Sequence, residues 1–263
     1  MKLKKIVIAV LVVALIAWIA SIANELVGNP ISKLLVKKAV RQYVDEYYSN
    51  LELEVSEPHY NFKFDWYAVV VKSKTSEDTV FRVYADHLGK IKEDDYKYEV
   101  ANCFTTYRRL SLELDEKAAE LISGKLNYDF DYISIRFIEE SKEGEEILSK
   151  LKLDMELDMY HPIIPLNSDV CIYSDDMSWN KIAEVGLALK QVLEDENIPI
   201  KKYSIRLIPL EDKPENGDEA VSWANSLSIS DFPSERMEEN NLSNVMEQFE
   251  NDRVTTINKN DKK

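Results

Sequence analysis

The sequence predicts an α+β protein: an N-terminal transmembrane helix followed by two small domains, each with one or more helices packed on a mainly antiparallel sheet. Three observations predict it. Residues Ile6–Ala23 form an apolar run with one polar side chain, Ser21, and no charge. Beyond it, two stretches of helical spacing each adjoin stretches rich in alternating, β-branched and aromatic residues. The length of 263 residues suits two cores of ordinary domain size.

The apolar run follows a basic start, Met1-Lys-Leu-Lys-Lys5, which is the pattern of a signal peptide or a signal anchor. Its length exceeds the roughly 7–15 residues of a signal-peptide core. It approaches the roughly 20 residues needed to cross the hydrocarbon. The expected organisation is a cytoplasmic N-terminus at 1–5 and a transmembrane signal anchor at 6–26, with Trp18 suited to an interface. Lys2, Lys4 and Lys5 precede the run, and no base follows it until Lys33. That asymmetry puts the N-terminus inside and the remaining chain in the extracytoplasmic space. Ser21-Ile22-Ala23 has the small-residue spacing of a signal-peptidase site, so secretion after cleavage behind Ala23 is the alternative. No cysteine follows the run, which excludes a lipoprotein anchor.

The first α+β domain is expected at 29–110. Asn29 is a good N-cap, and Pro30 suits the first helical turn, where its missing N–H has no partner to lose. Ile31, Leu34, Leu35, Val40, Tyr43, Val44 and Tyr47 then recur at helical spacing to about Ser49. Leu51, Leu53 and Val55 alternate with polar residues, and Pro58 ends that strand. Tyr60–Ser73 and Thr79–Ala85 read as strands, with a turn at Asp86–Gly89 and a short strand at Lys90–Glu93. A helix over about Tyr96–Ser123 connects the halves, with a break near Leu110–Leu112 and Gly124 as its stop.

The second α+β domain is expected at 111–233. Strands are predicted at about Tyr132–Ile138, at Leu151–Met159 by alternation, at Val170–Tyr173, at Tyr203–Leu210 and at Ala224–Ile229. Ser141–Ser149 reads as an acidic turn or short helix. A helix capped by Ser178 or Asp176 buries Ile182, Val185, Leu189, Val192 and Leu193. After Pro233 the chain is charged and rich in Asn, so 234–263 is expected to be a polar, largely disordered tail with a weak helix at Leu242–Phe249.

A formal charge of −15 argues against a nucleic-acid partner, since phosphate affinity depends on clustered Lys and Arg. With 6 glycines in the chain, phosphate-cradling loops are not expected, and no Gly-x-Ser-x-Gly elbow occurs. Cys103 and Cys171 match no zinc spacing and read as two separately buried thiols rather than a bridge. His59, His87 and His161 are scattered, two of them beside prolines, and form no metal-ligand pair. Glu93-Asp94-Asp95 and Asp175-Asp176 lack calcium-loop spacing and read as turn and helix-cap residues. No catalytic, cofactor-binding or metal residue is therefore assigned, and no cofactor is expected. Tyr60, Phe62, Phe64 and Trp66 share a face if their segment is one continuous strand. With Tyr67 they read as core packing against the first helix, and otherwise as an exposed binding patch.

The stretches Gly28-Asn-Pro-Ile-Ser-Lys33, Tyr43–Tyr48, Glu57-Pro-His-Tyr-Asn-Phe-Lys-Phe64, Lys74-Thr-Ser-Glu-Asp78, Asp95-Tyr96 and Thr106-Tyr-Arg-Arg-Leu110 resemble the YfjL-like family of Firmicutes. The resemblance covers roughly residues 1–110 well and the rest loosely. It implies a bacterial membrane setting and an extracytoplasmic domain pair, and carries no catalytic residues. The functional expectation is a membrane-anchored, non-enzymatic binding or modulating module at the cell envelope. Its partners would be the lipid bilayer and an envelope or membrane protein. The alternative is an envelope hydrolase or metal-dependent enzyme with a dispersed Asp/Glu/His site, for which His161, Asp175 and Asp176 are the best candidates.

Overall fold

In the computed structural model, Asn29 caps the first helix as its chemistry directs: its side chain accepts the Ile31 N–H at 2.8 Å. The structure describes residues 6, 8, 10–16, 18, 28–138, 145–214 and 221–260. Of the predicted anchor, the residues described are helical. The rest of it, including the cleavage motif Ser21–Ala23 and residues 1–5, lies outside the described residues. Among the described residues no helix is long and apolar enough to cross a membrane.

The chain divides into two compact units, Met1–Thr106 with Leu151–Met155, and Tyr107–Lys150 with Glu156–Lys263. In the first, helix α1 (Pro30–Tyr47) buries Val36, Val40 and Val44 at i,i+4 spacing. Ile31, Leu34 and Tyr47, expected on the same apolar face, are exposed instead. The sheet is an antiparallel meander of β1 (Leu53–Val55), β3 (Trp66–Ser73), β4 (Val80–Ala85) and β5 (Ile91–Asp94), with β2 (His59–Asn61) also paired to β3. Val69, Val71, Phe81 and Val83 alternate onto the α1 side and complete the core. The predicted strand 60–73 is two strands, because Asp65 at φ 53 turns the chain between them.

Tyr43 and Tyr48 both donate their hydroxyls to Asp94 Oδ2, at 2.5 and 2.9 Å, under the edge of this core. Burial first, and then the hydrogen bond to Asp94, push Tyr43 up to about 12 and raise Tyr48 as well. The neutral phenols therefore contribute stability that is intact below the ordinary tyrosine value of 10.0 and is lost as pH rises from there toward about 12. Alkaline titration of the folded chain should show this loss in the first domain's unfolding transition. Tyr43→Phe should flatten it, and an unchanged slope in that variant would remove Tyr43 as its source.

The predicted connector helix begins later than expected. A π-helical turn at Lys97–Ala101 ends at Cys103, whose φ of 59 breaks the helix, and α2 then runs unbroken over Phe104–Lys125. The break thus falls at 102–103 rather than near Leu110–Leu112, and Gly124 lies within the helix. Leu151–Met159 forms no strand. Side chains take the backbone groups a ladder would use: Asp78 Oδ2 accepts Asp154 N–H at 2.8 Å, and Asp154 Oδ1 accepts Asp78 N–H at 2.9 Å. Thr106 donates to the same Asp78 carboxylate at 2.7 Å, and Asp78 is buried. This reciprocal clasp explains why 151–155 belongs to the first unit.

The second unit carries a sheet in the order β6 (Asp129–Phe137), β7 (Leu166–Ser174), β8 (Ile200–Pro209), β9 (Leu227–Pro233). It is mixed rather than mainly antiparallel: β7 and β8 are parallel, because helix α4 (Trp179–Asp195) crosses over between them. Ser178 caps α4, accepting Lys181 N–H at 3.2 Å, and the five predicted apolar residues are buried. A short helix α3 (Glu145–Lys150) precedes β7, while 139–144 lies outside the described residues. Gly186 lets α4 approach the sheet, since a Cβ there would stand 2.9 Å from Met237 Cε and 3.1 Å from Ile205 Cδ1.

The disordered-tail expectation for 234–263 is corrected for the described part. Helix α5 (Leu242–Asn260) starts where the weak helix was predicted and extends well past Phe249. Met237 and Met246 are buried and Phe249 packs edge-on against Phe232 at 5.2 Å, so few but well-placed apolar residues suffice to hold it. Residues 261–263 lie outside the described residues.

Candidate functional site

One face of the second sheet meets α4 through Ile205, as the Gly186 contact shows. On the opposite alternation the strands carry polar residues in register: Ser134, Asp169 and Ser204 form one row, and Arg136, Asn167 and Lys202 the next. Tyr132, Cys171, Arg206 and Ser228 make a third. Every residue of β7 is nonetheless buried or nearly so, including Asn167 and Asp169. A buried polar face must be hydrogen-bonded or open to a ligand.

These residues, Ser134 and Cys171 excepted, line a cavity of about 580 Å³ within the second domain. Asp169 anchors one wall, accepting the Tyr132 hydroxyl at 2.7 Å and pairing with the Arg136 guanidinium. Ser204 Oγ accepts Asn167 Nδ2 at 3.3 Å and Asp231 N–H at 3.0 Å. Asp231 holds φ 55, which turns its backbone N–H inward at the end of β9. Arg206 lies over Trp223, with its guanidinium carbon 4.5 Å from the ring centre, and its NH1 donates to Ser226 at 3.2 Å. Two polar atoms at this wall, Arg206 Nε and Asn167 Oδ1, are buried without a hydrogen-bond partner among the described residues. Away from the cavity lining, Cys171 packs with Tyr173 and Ile208. Burial pushes its thiol up to about 12, with the Asp131 charge adding to the shift.

Charge in the cavity runs against the whole molecule. Arg136, Lys202, Arg206 and Arg253 line it with two carboxylates, Asp169 and Asp231, in a chain of net charge −15. Arg136 is satisfied by Asp169 and Arg253 by Glu250, which leaves Lys202 and Arg206 without a carboxylate in ion-pair range among the described residues.

The residues singled out in the sequence fall elsewhere. His59, His87 and His161 are exposed on three separate segments, and His161 Nδ1 stands 3.3 Å from Asp158 Oδ2. Asp94 and Asp95 serve the first sheet: Asp94 takes the two tyrosines, and Asp95 accepts Arg82 N–H. Asp175 and Asp176 are exposed in the loop before α4. Among the described residues no group of three or more His, Cys, Asp or Glu side chains could hold a metal ion. Cys103 and Cys171 are both free and buried. Of the aromatic cluster, Tyr60 and Tyr67 pack together at 5.0 Å, with Tyr67 in the core, whereas Phe62 and Phe64 project from the turn between β2 and β3. Sequence reasoning missed Asn167, Asp169, Lys202, Ser204 and Arg206. Their signal was the alternation of Lys202, Ser204 and Arg206 with Tyr203, Ile205 and Leu207, beside a polar run at Asn167–Asp169 in an otherwise largely apolar strand.

The fold and the cavity define a two-domain α+β protein whose second sheet turns a polar face to a cavity. The YfjL-like N-terminal domain model matches residues 3–95 and the YfjL-like C-terminal domain model matches residues 113–247. The chain belongs to the YfjL-like family, and the match extends through its second half. No curated protein and no solved structure matches it.

Proposed function

We propose that this protein is a membrane-tethered, extracytoplasmic binding module whose second domain takes a small polar ligand bearing an anionic group. The observation that carries the ligand class is the Arg206 wall. A buried guanidinium edge and an amide oxygen lack partners among the described residues, beside Lys202, in a cavity of drug-ligand size. The tether rests on the apolar run, and every large apolar side chain described between Ile6 and Trp18 is at least 50% exposed, with no protein surface covering it. The basic residues before the run support the outward orientation.

The ligand class is tested by calorimetric titration of the full chain, in a lipid nanodisc, with inorganic phosphate, pyrophosphate and citrate. At least one should bind. Arg206→Ala should weaken that binding by about 10- to 100-fold, the range of a charge-assisted hydrogen bond. Failure of all three to bind, or equal affinity in Arg206→Ala, would overturn the assignment.

A further inference from the structure

The first domain gathers five of its exposed large apolar side chains at one end, while Tyr47 and Tyr98 are exposed elsewhere. Strand β3 starts at Trp66, and Tyr67 pairs with both Tyr60 and Ala85, so the 62–65 turn and the 86–90 turn leave the same end of the sheet. The chain enters the domain there too: Asn29 N–H donates to Tyr67 Oη at 2.9 Å, and a Cβ on Gly28 would stand 2.7 Å from Tyr60 Cβ. Gly89 sits against α1 near Leu35. Around this entry point Ile31, Leu34, Phe62, Phe64 and Leu88 are exposed by 67, 71, 58, 63 and 70%. Lys63 and Lys90 are exposed within the same two turns.

We infer that this end of the first domain docks into the interfacial layer of the same bilayer, with Phe62, Phe64 and Leu88 seated at the boundary of headgroups and acyl chains. The inference rests on the tether proposed above. Gly28 lies two residues beyond the span at 6–26, and two residues reach at most about 7 Å. The polar layer on each side of the hydrocarbon is itself roughly 5–8 Å thick. A domain that packs its sheet end onto Gly28 therefore holds that end within the layer. Aromatic and aliphatic side chains flanked by lysines are the chemistry that layer accepts. The apolar residues that α1 leaves uncovered thereby gain a nonaqueous contact.

The test uses the full chain in vesicles of phosphatidylcholine and phosphatidylglycerol, in a Cys103→Ala/Cys171→Ala background. Nitroxides are attached singly after Phe64→Cys, Leu88→Cys, Val13→Cys or Lys74→Cys. Val13 reports the anchor, and Lys74 reports the opposite end of the same sheet. The ratio of oxygen to nickel-chelate collision rates should be several-fold higher at positions 64 and 88 than at 74. Water-like ratios at 64 and 88 with a lipid-like ratio at 13 would overturn the docking and leave the anchor standing. A water-like ratio at 13 would overturn both. Exclusion of both quenchers at 64 and 88 would mean a protein partner covers this end, and would also overturn lipid docking.

Discussion

Asp78→Ala is expected to lower the stability of the first domain by about 2–4 kcal/mol, because it strips the acceptor from a buried hydroxyl and a part-buried N–H at once. Asp154 N–H and the Thr106 hydroxyl both end on Asp78 Oδ2, and the Asp78 side chain is shielded from water that could replace it. Asp78→Asn keeps one acceptor oxygen and should lose less. Asp154→Ala removes the acceptor of Asp78 N–H and of the Ser76 hydroxyl, at a more exposed position, and should cost about 1–2 kcal/mol. Urea unfolding of the three variants gives the order directly. Equal, small losses across the series would show that 151–155 is held by apolar contacts and not by the clasp.

Phe232→Ala should destabilise the second domain by about 3–5 kcal/mol, the range for removing a fully buried aromatic ring. Phe232 has no exposed surface, pairs in register with Tyr203, and meets Phe249 edge-on at 5.2 Å. The Arg236 guanidinium lies 5.5 Å from the Phe232 ring centre and 5.7 Å from that of Phe249, so the two rings and the cation close one unit. Hydrogen exchange should show protection lost first over α5, whose hold on the sheet runs through this contact. A double-mutant cycle with Phe249→Ala should return a coupling of about 0.5–1.5 kcal/mol. Additive losses would mean that α5 is held elsewhere, through Met246 or Glu250.

The parts of the fold legible in the sequence are those where local chemistry and tertiary burial agree. Asn29-Pro30 and Ser178 state where helices start, and the spacing of Ile182, Val185, Leu189 and Val192 states which face of α4 is covered. Legibility fails where a distant group decides. Leu151–Met159 alternates like a strand, yet Asp78, far away in sequence, claims its backbone. The stretch after Pro233 looks too polar to fold, but Phe232 and Gly186 supply the surface that Met237 and Met246 complete. Ile31 and Leu34 match the helical pattern of a buried face, and only the position of the sheet beneath α1 shows that they clear its edge.

The cavity was illegible for a related reason. Its members come from four strands and are brought side by side by register, so no short motif contains them. The polar run Asn167-Ser168-Asp169 and the polar alternation over Lys202–Arg206 were present, but polar strand residues ordinarily mark the solvent face of a sheet. Burial of Asn167 and Asp169 turns that ordinary pattern into a site, and burial is a property of the assembled sheet.

The clasp between Asp78 and Asp154 also imposes an order in time. Everything else in the first domain is in hand once Thr106 has been made, but its last piece, Leu151–Met155, follows about fifty residues later. At ordinary synthesis speeds of roughly 5–20 residues per second, that is a wait of roughly 2–10 s. During it the nascent first domain lacks the Asp154 half of the clasp, and chaperones have their best opportunity to bind it. Cutting the gene between the two family domains would make that wait permanent.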